Sequence, residues 1–257
     1  MLARPAPGSV LQVRTESASG SEFDGTGKVD QRRERWRGHR EKVRAEIVEA
    51  AFRAIDRYGP EVSLREIAAE AGTGKPKIYR HFEDKTDLFG AISTRFRDLL
   101  GAAIFATVDF AEDPTREVLR GAVSEYVRLV EAHPNVMRFI MQDRFPQPEP
   151  ATKSLSEGRE ITLAVAEMFD EQLSGMHLDR SVLELAAAAA FGAVSVATDW
   201  WLGPDLDSPR RMPAPDFVAY LTTILLGTVT GTAELLGIAL DLDRPIRLAE
   251  PLAAGPG

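Results

Sequence analysis

Residues 62–88 read VSLREIAAEAGTGKPKIYRHFEDKTDL, and the glycine at position 72 decides how they fold. Ile67, Ala68 and Ala71 recur at helical spacing and give a first short helix its apolar face. Ser63 is placed to cap that helix, and Glu66, three residues on, completes a capping box. The helix stops at Gly72, because only glycine takes a left-handed backbone there at little cost. A second helix starts near Lys75 with Pro76 in its first turn, where a missing N–H does no harm. Ile78 and Phe82, four apart, form its inner face, and Ala68 is small enough to let the two helices approach closely. The pattern is that of a helix-turn-helix, whose second helix enters the DNA major groove.

The outward face of the second helix carries Lys75, Lys77, Tyr79, Arg80 and His81. These are donors, or amphipathic rings that reach phosphates and base edges. Lys85 follows at the start of the next helix, where its ammonium and the helix's unpaired N–H groups can both meet a phosphate.

The run LREIAAEAG…KPKIYRHFEDKTDLFGAI, with the preceding EKVRAEIVEAAFRAIDRYGPEVS, resembles the DNA-binding domain of the TetR-type one-component regulators. The resemblance covers roughly residues 38 to 100. It implies that Arg65 contacts a base, that Thr73 to His81 are the turn and recognition helix, and that Tyr79 and His81 touch phosphate. Lys85 matches the lysine that opens the fourth helix of the family, and the resemblance adds Ser63, Arg65, Thr73 and Gly74 to the candidate DNA-facing set. Two positions depart from the pattern. Gly74 stands where serine is the common cap, and Lys77 stands where a smaller hydroxyl residue is common.

Charge follows the motif. The chain of 257 residues has a formal charge of −8, yet residues 28–89 hold 15 Lys and Arg against 12 Asp and Glu. Residues 90–257 hold 14 against 24, so an acidic body carries a basic head, which orients the molecule on a polyanion. Long Ala/Leu/Glu/Arg segments and few alternating β-rich runs indicate an all-α chain. The expected plan is a helix-turn-helix domain at 38–84 and a larger helical effector-binding and dimerisation domain at 85–238. A disordered basic arm (1–37) precedes them and a loose tail (239–257) follows. Within the basic stretch, Lys28, Arg32, Arg33, Arg35, Arg37, Arg40, Lys42 and Arg44 read either as a solvated lead-in or as an arm adding phosphate or minor-groove contacts. The first helix is expected over His39 to Tyr58, and another over Lys153 to Ser174.

The apolar segment Val182 to Leu202 is interrupted by Glu184 and Asp199 and reads as a buried helix rather than a membrane span. No charged start precedes an apolar run, so neither a signal peptide nor a membrane partner is expected, and a cytoplasmic location is. The last two long helices place small residues, Ala189, Ala193, Gly227 and Gly231, on apolar faces. These suit close packing within the chain, or a self-complementary four-helix dimer face, which the resemblance favours. Phe105, Met137, Phe139, Ile140, Met141, Met168, Phe169, Phe191 and Trp200 could line a cavity for a largely apolar effector, for instance a fatty-acyl-like one, or could simply be core.

Enzyme chemistry is not indicated. There is no cysteine, and the four histidines, His39, His81, His133 and His177, form no ligand pair. No nucleophile elbow or phosphate-cradling glycine loop occurs. No metal or cofactor is expected. The expected partners are double-stranded operator DNA, a second copy of the chain and a small apolar effector. The expected function is a ligand-released dimeric repressor, with an effector-independent regulator or an activator as the alternative.

Overall fold

The computed structural model describes residues 25–141, 167, 178–203 and 211–252, with side chains from residue 38 onward. Eight α-helices run in order among them: α1 Gly25–Tyr58, α2 Leu64–Glu70, α3 Lys75–His81, α4 Lys85–Thr107, α5 Thr115–Ala132, α6 Pro134–Met141, α7 Arg180–Leu202 and α8 Ala214–Leu235. Only a two-residue antiparallel pair, β1 Ile238–Ala239 with β2 Glu250–Pro251, and a short 3-10 turn at Ile246–Leu248 break the all-α character. The chain divides into two compact units, 1–42 and 43–257. The described part of the first is helical throughout.

Two expectations are corrected. Helix α1 starts at Gly25, not near His39, so residues 25–37 are helical rather than part of a disordered arm. Residues 28–37 are mostly Arg, Lys, Glu and Gln, good helix formers, and they carry no apolar period to reveal the helix. The segment after residue 238 is not loose as far as Leu252. Thr115 N and Oγ1 both donate to Arg244 O at 3.0 Å, and Arg116 N donates to Leu242 O at 2.9 Å. Arg247 grips Glu112 at 2.8 and 2.9 Å and Ala111 O at 2.6 Å, tying this segment to the α4–α5 corner. Residues 1–24, the expected 153–174 helix apart from residue 167, and residues 253–257 lie outside the described residues.

From residue 43 onward one continuous core joins the helix-turn-helix to the body. Ile47, Ala51, Phe52 and Ile55 of α1 meet Ile67 and Ala68 of α2, Ile78 of α3 with Phe82, and Leu88, Ile92 and Phe96 of α4. The same cluster runs on through Val127 and Val130 of α5, Val136 and Phe139 of α6, Trp201 of α7 and Phe217 of α8. Trp201 and Phe217 stack with ring centroids 4.5 Å apart. Polar ties reinforce the joint. His133 Nδ1 lies 2.7 Å from Asp56 Oδ2, and Arg138 donates to the carbonyls of Leu202 and Gly203 that end α7. Tyr126 and Thr198 share a hydrogen bond of 2.7 Å between α5 and α7, and burial pushes the Tyr126 hydroxyl up to about 12.

The expectation that Val182 to Leu202 is a buried helix holds only for part of its surface. Helices α7 and α8 are long and apolar enough to cross a membrane by length and composition. Leu183, Ala187, Thr198, Trp201 and Leu202 turn inward on α7, but Leu185, Val196 and Trp200 are exposed. On α8, Tyr220, Ile224 and Leu235 are exposed as well.

Candidate nucleic-acid interface

The reading unit is built from its caps inward. Ser63 Oγ accepts from Glu66 N at 3.3 Å, and Glu66 Oε2 accepts from Ser63 N at 2.7 Å, closing the capping box that starts α2. Hydrogen bonding to the carboxyl from the Ser63 backbone N–H, and then from the Ser63 side chain, holds Glu66 below its ordinary range. Helix α2 ends in a turn at Gly72, whose φ of 61° is the left-handed conformation anticipated for it. Gly74 then caps α3 with backbone alone, and Pro76 occupies the first turn. Asp84 caps α4 by accepting from Asp87 N at 2.8 Å.

Inside, Ala68, Ile78 and Phe82 are each at most 3 % exposed, so α2 and α3 are locked by a small, tight contact. Outside, Lys75, Lys77, Tyr79 and Arg80 are all exposed along α3. Ser63, Arg65, Gly74 and Lys85 are exposed around it, while Thr73 and His81 are half-buried. The structure therefore brings the whole candidate set to one helix-turn-helix and its two flanking helix starts. Five cations (Arg65, Lys75, Lys77, Arg80 and Lys85) and one ring, Tyr79, are exposed on these elements. Such a face can approach a phosphate backbone and present donors to base edges.

Arg44 does not belong to that outward set, although it ends the basic run. Its Nη1 donates to His81 O at 2.7 Å and to Asp87 Oδ2 at 3.0 Å, and its Nη2 pairs with Asp87 Oδ1. The guanidinium carbon lies 4.2 Å from the centroid of the Phe82 ring. Its bond to Asp87 raises the Arg44 pKa further above the ordinary value. Sequence reading missed this role because Arg44 stands in a run of cations and its acidic partner is 43 residues away.

Among the described residues, the candidate effector lining divides between core and surface. Met137 and Phe139 are buried core, and Ile140 and Met141 pack against it. Phe105 and Trp200 are 71 % and 66 % exposed in the single chain, and Phe191 is exposed too. Apolar character alone could not separate an outward helix face from a lining. Met168 and Phe169 fall outside the described residues. A cavity of about 80 Å³ lies elsewhere, between α7, α8 and the C-terminal segment, against Ala187, Thr228, Thr232, Ala233, Leu236 and Ile246. Its walls combine alanines and threonines with leucine, isoleucine and valine side chains from α7, α8 and the C-terminal segment. Of the candidate dimer residues, Ala189 and Gly227 are exposed and Ala193 and Gly231 half-buried.

A tri-helical reading head with this charge and geometry defines a helix-turn-helix DNA-binding regulator. Residues 47–92 match the model for bacterial regulatory proteins of the tetR family. An uncharacterised HTH-type transcriptional regulator of Mycobacterium tuberculosis is 33 % identical over 220 residues, covering 82 % of this chain and 88 % of that protein. The chain belongs to the TetR family of transcriptional regulators and is a DNA-binding protein, not an enzyme. Solved structures share the fold at lower identity. A tetR-family regulator from Streptomyces coelicolor is 22 % identical with a TM-score of 0.56, over 76 % of this chain and 83 % of that one. The fatty acid degradation regulator FadR from Bacillus halodurans is 20 % identical with a TM-score of 0.51, over 72 % of this chain and 95 % of that one.

Proposed function

We propose that this regulator is a cytoplasmic homodimeric repressor that reads a palindromic operator through α3 and is released by a small, largely apolar effector. The observation that carries the dimer is the outward stripe of α7 and α8. Leu185, Val196 and Trp200 on one helix and Tyr220, Ile224 and Leu235 on the other are exposed in the single chain. The small residues Ala189, Ala193, Gly227 and Gly231 are interspersed with them and let helices approach closely. Monomeric soluble proteins rarely leave so extended an apolar surface uncovered. A two-fold related pair of α7–α8 hairpins would bury it as a four-helix bundle. Two heads would then meet half-sites about 34–36 Å apart.

The roles on DNA follow from exposure and chemistry. Arg65 is taken to read a base edge, and Lys75, Lys77, Tyr79, Arg80, His81 and Lys85 to hold phosphates, with Ser63, Thr73 and Gly74 at the turn. Support for an apolar effector comes from the cavity beside α7 and α8. Its two hydroxyls are already engaged: Thr228 Oγ1 donates to Ile224 O at 3.1 Å and Thr232 Oγ1 to Thr228 O at 2.7 Å. A ligand there gains by burying hydrocarbon rather than by hydrogen bonding. Its occupancy would bias the C-terminal segment that holds the α4–α5 corner, and with it α4, so release becomes a population shift.

The test is to select duplexes from random DNA with the purified protein and then titrate the complex with free fatty acids of increasing chain length. A palindromic selected sequence, and dissociation that strengthens with chain length, are expected. Selection of a non-palindromic sequence removes the dimeric reading, and insensitivity to every chain length removes the acyl-type effector.

A further inference from the structure

We propose that Arg44 is a positioning residue for DNA reading, not a phosphate contact: with Asp87 it fixes the recognition helix to α4. This rests on α3 being the reading helix. The reasoning starts from helix ends. Helix α3 finishes at His81, where its last carbonyls lack intrahelical partners and the helix dipole leaves partial negative charge. Helix α4 starts at Lys85, where partial positive charge gathers. Only Phe82, Glu83 and Asp84 separate the two.

The Arg44–Asp87 pair sits at that junction with each charge on the end that favours it. Arg44 caps the closing carbonyl of α3 at 2.7 Å, and Asp87 occupies the first turn of α4. Each linker residue is engaged as well. The Phe82 ring lies 4.2 Å from the Arg44 guanidinium, Glu83 N donates to Asp87 Oδ2 at 3.0 Å, and Asp84 Oδ1 accepts from Asp87 N at 2.8 Å. One side chain from α1 thus determines how the end of α3 meets the start of α4. The fork geometry of guanidinium on carboxylate fixes angle as well as distance, which an ammonium would not. Arg44 and Asp87 side chains are 33 % and 29 % exposed, so salt screens the pair only in part.

Positioning and contact make opposite statements about Asp87. Asp87→Asn removes a negative charge beside the DNA face, so charge alone would strengthen binding to any duplex. If the pair positions α3, the same change weakens binding to the correct sequence. The experiment uses full-length Arg44→Met, Asp87→Asn, the double variant and Arg44→Lys. Binding is read by fluorescence anisotropy over a salt series, on a duplex selected by the wild-type protein and on a scrambled duplex of the same composition. Both single variants are expected to lower the selected-to-scrambled affinity ratio about tenfold, with the slope of log affinity against log salt unchanged. The double variant should lose no more than either single one, because the two residues act through each other.

The proposal is overturned if Asp87→Asn binds the selected duplex as well as the wild type or better. It is also overturned if Arg44→Met weakens both duplexes alike and lowers the salt slope by about one, the mark of a lost phosphate contact. Should Arg44→Met fail to fold, as judged by circular dichroism, Arg44→Lys carries the test. It keeps the charge but not the fork, and a wild-type ratio for it would equally overturn the proposal. Lys77→Ala, which the clamp does not touch, reports separately on α3 as the reading helix by its loss of affinity for the selected duplex.

Discussion

At the scale of single residues, position on the reading head separates tasks that composition lumps together. Arg65 and Lys85 are both exposed cations, but one lies in the first turn of α2 and the other opens α4. Lys85→Ala is expected to weaken all duplexes about equally. Arg65→Ala should cost the selected sequence roughly 1–3 kcal/mol more than random DNA. Equal losses on both duplexes would remove the base-reading role from Arg65. Glu66 offers a test of the capping box by pH. Its folded carboxyl lies below its ordinary value of 4.5, because Ser63 N and Oγ hydrogen-bond with this end of α2. The stability it contributes is therefore complete above that value and is lost as pH falls through the lowered one. A Glu66→Gln variant, which keeps the box but cannot titrate, should lose less stability than the wild type on acidification below about pH 4.5, measured by chemical denaturation. Identical acid profiles would show that the box adds nothing.

At the scale of elements, what was legible in the sequence was whatever is encoded locally. Ser63, Glu66, Gly72 and Pro76 each act within a few residues, so the bounds of α2 and α3 could be read before any packing was known. The start of α1 could not, because residues 25–37 offer helix formers without an apolar stripe. The C-terminal segment was misread for a different reason. Its order depends on Thr115, Arg116 and Glu112, more than a hundred residues distant, and nothing local announces such partners. Long-range polar pairs are also where elements are most easily tested. Thr198 is fully buried and Tyr126 is its hydrogen-bond partner. Tyr126→Phe is expected to destabilise by about 1–3 kcal/mol by stranding the threonine hydroxyl, and adding Thr198→Val should restore most of that loss. A double variant as unstable as the sum of both singles would mean that the bond does not join α5 to α7.

At the scale of the whole molecule, the chain combines a basic reading head with an acidic helical body through one shared core, and two body helices keep apolar stripes in the open. Sequence identified the small residues of those stripes but could not tell an outward face from an inward one. Phe105, Phe191 and Trp200 were grouped with Met137 and Phe139 because hydrophobicity is the same on either side of a helix. In the proposed dimer the exposed stripe would tie DNA reading to subunit number, so the most direct test is the mass of the protein bound to its selected duplex by native mass spectrometry, for the wild type and for Trp200→Asp. Two protomers per duplex for the wild type, with loss of the second protomer and of operator affinity for Trp200→Asp, is the expected result. A single wild-type protomer that binds the selected sequence with full affinity would contradict the account.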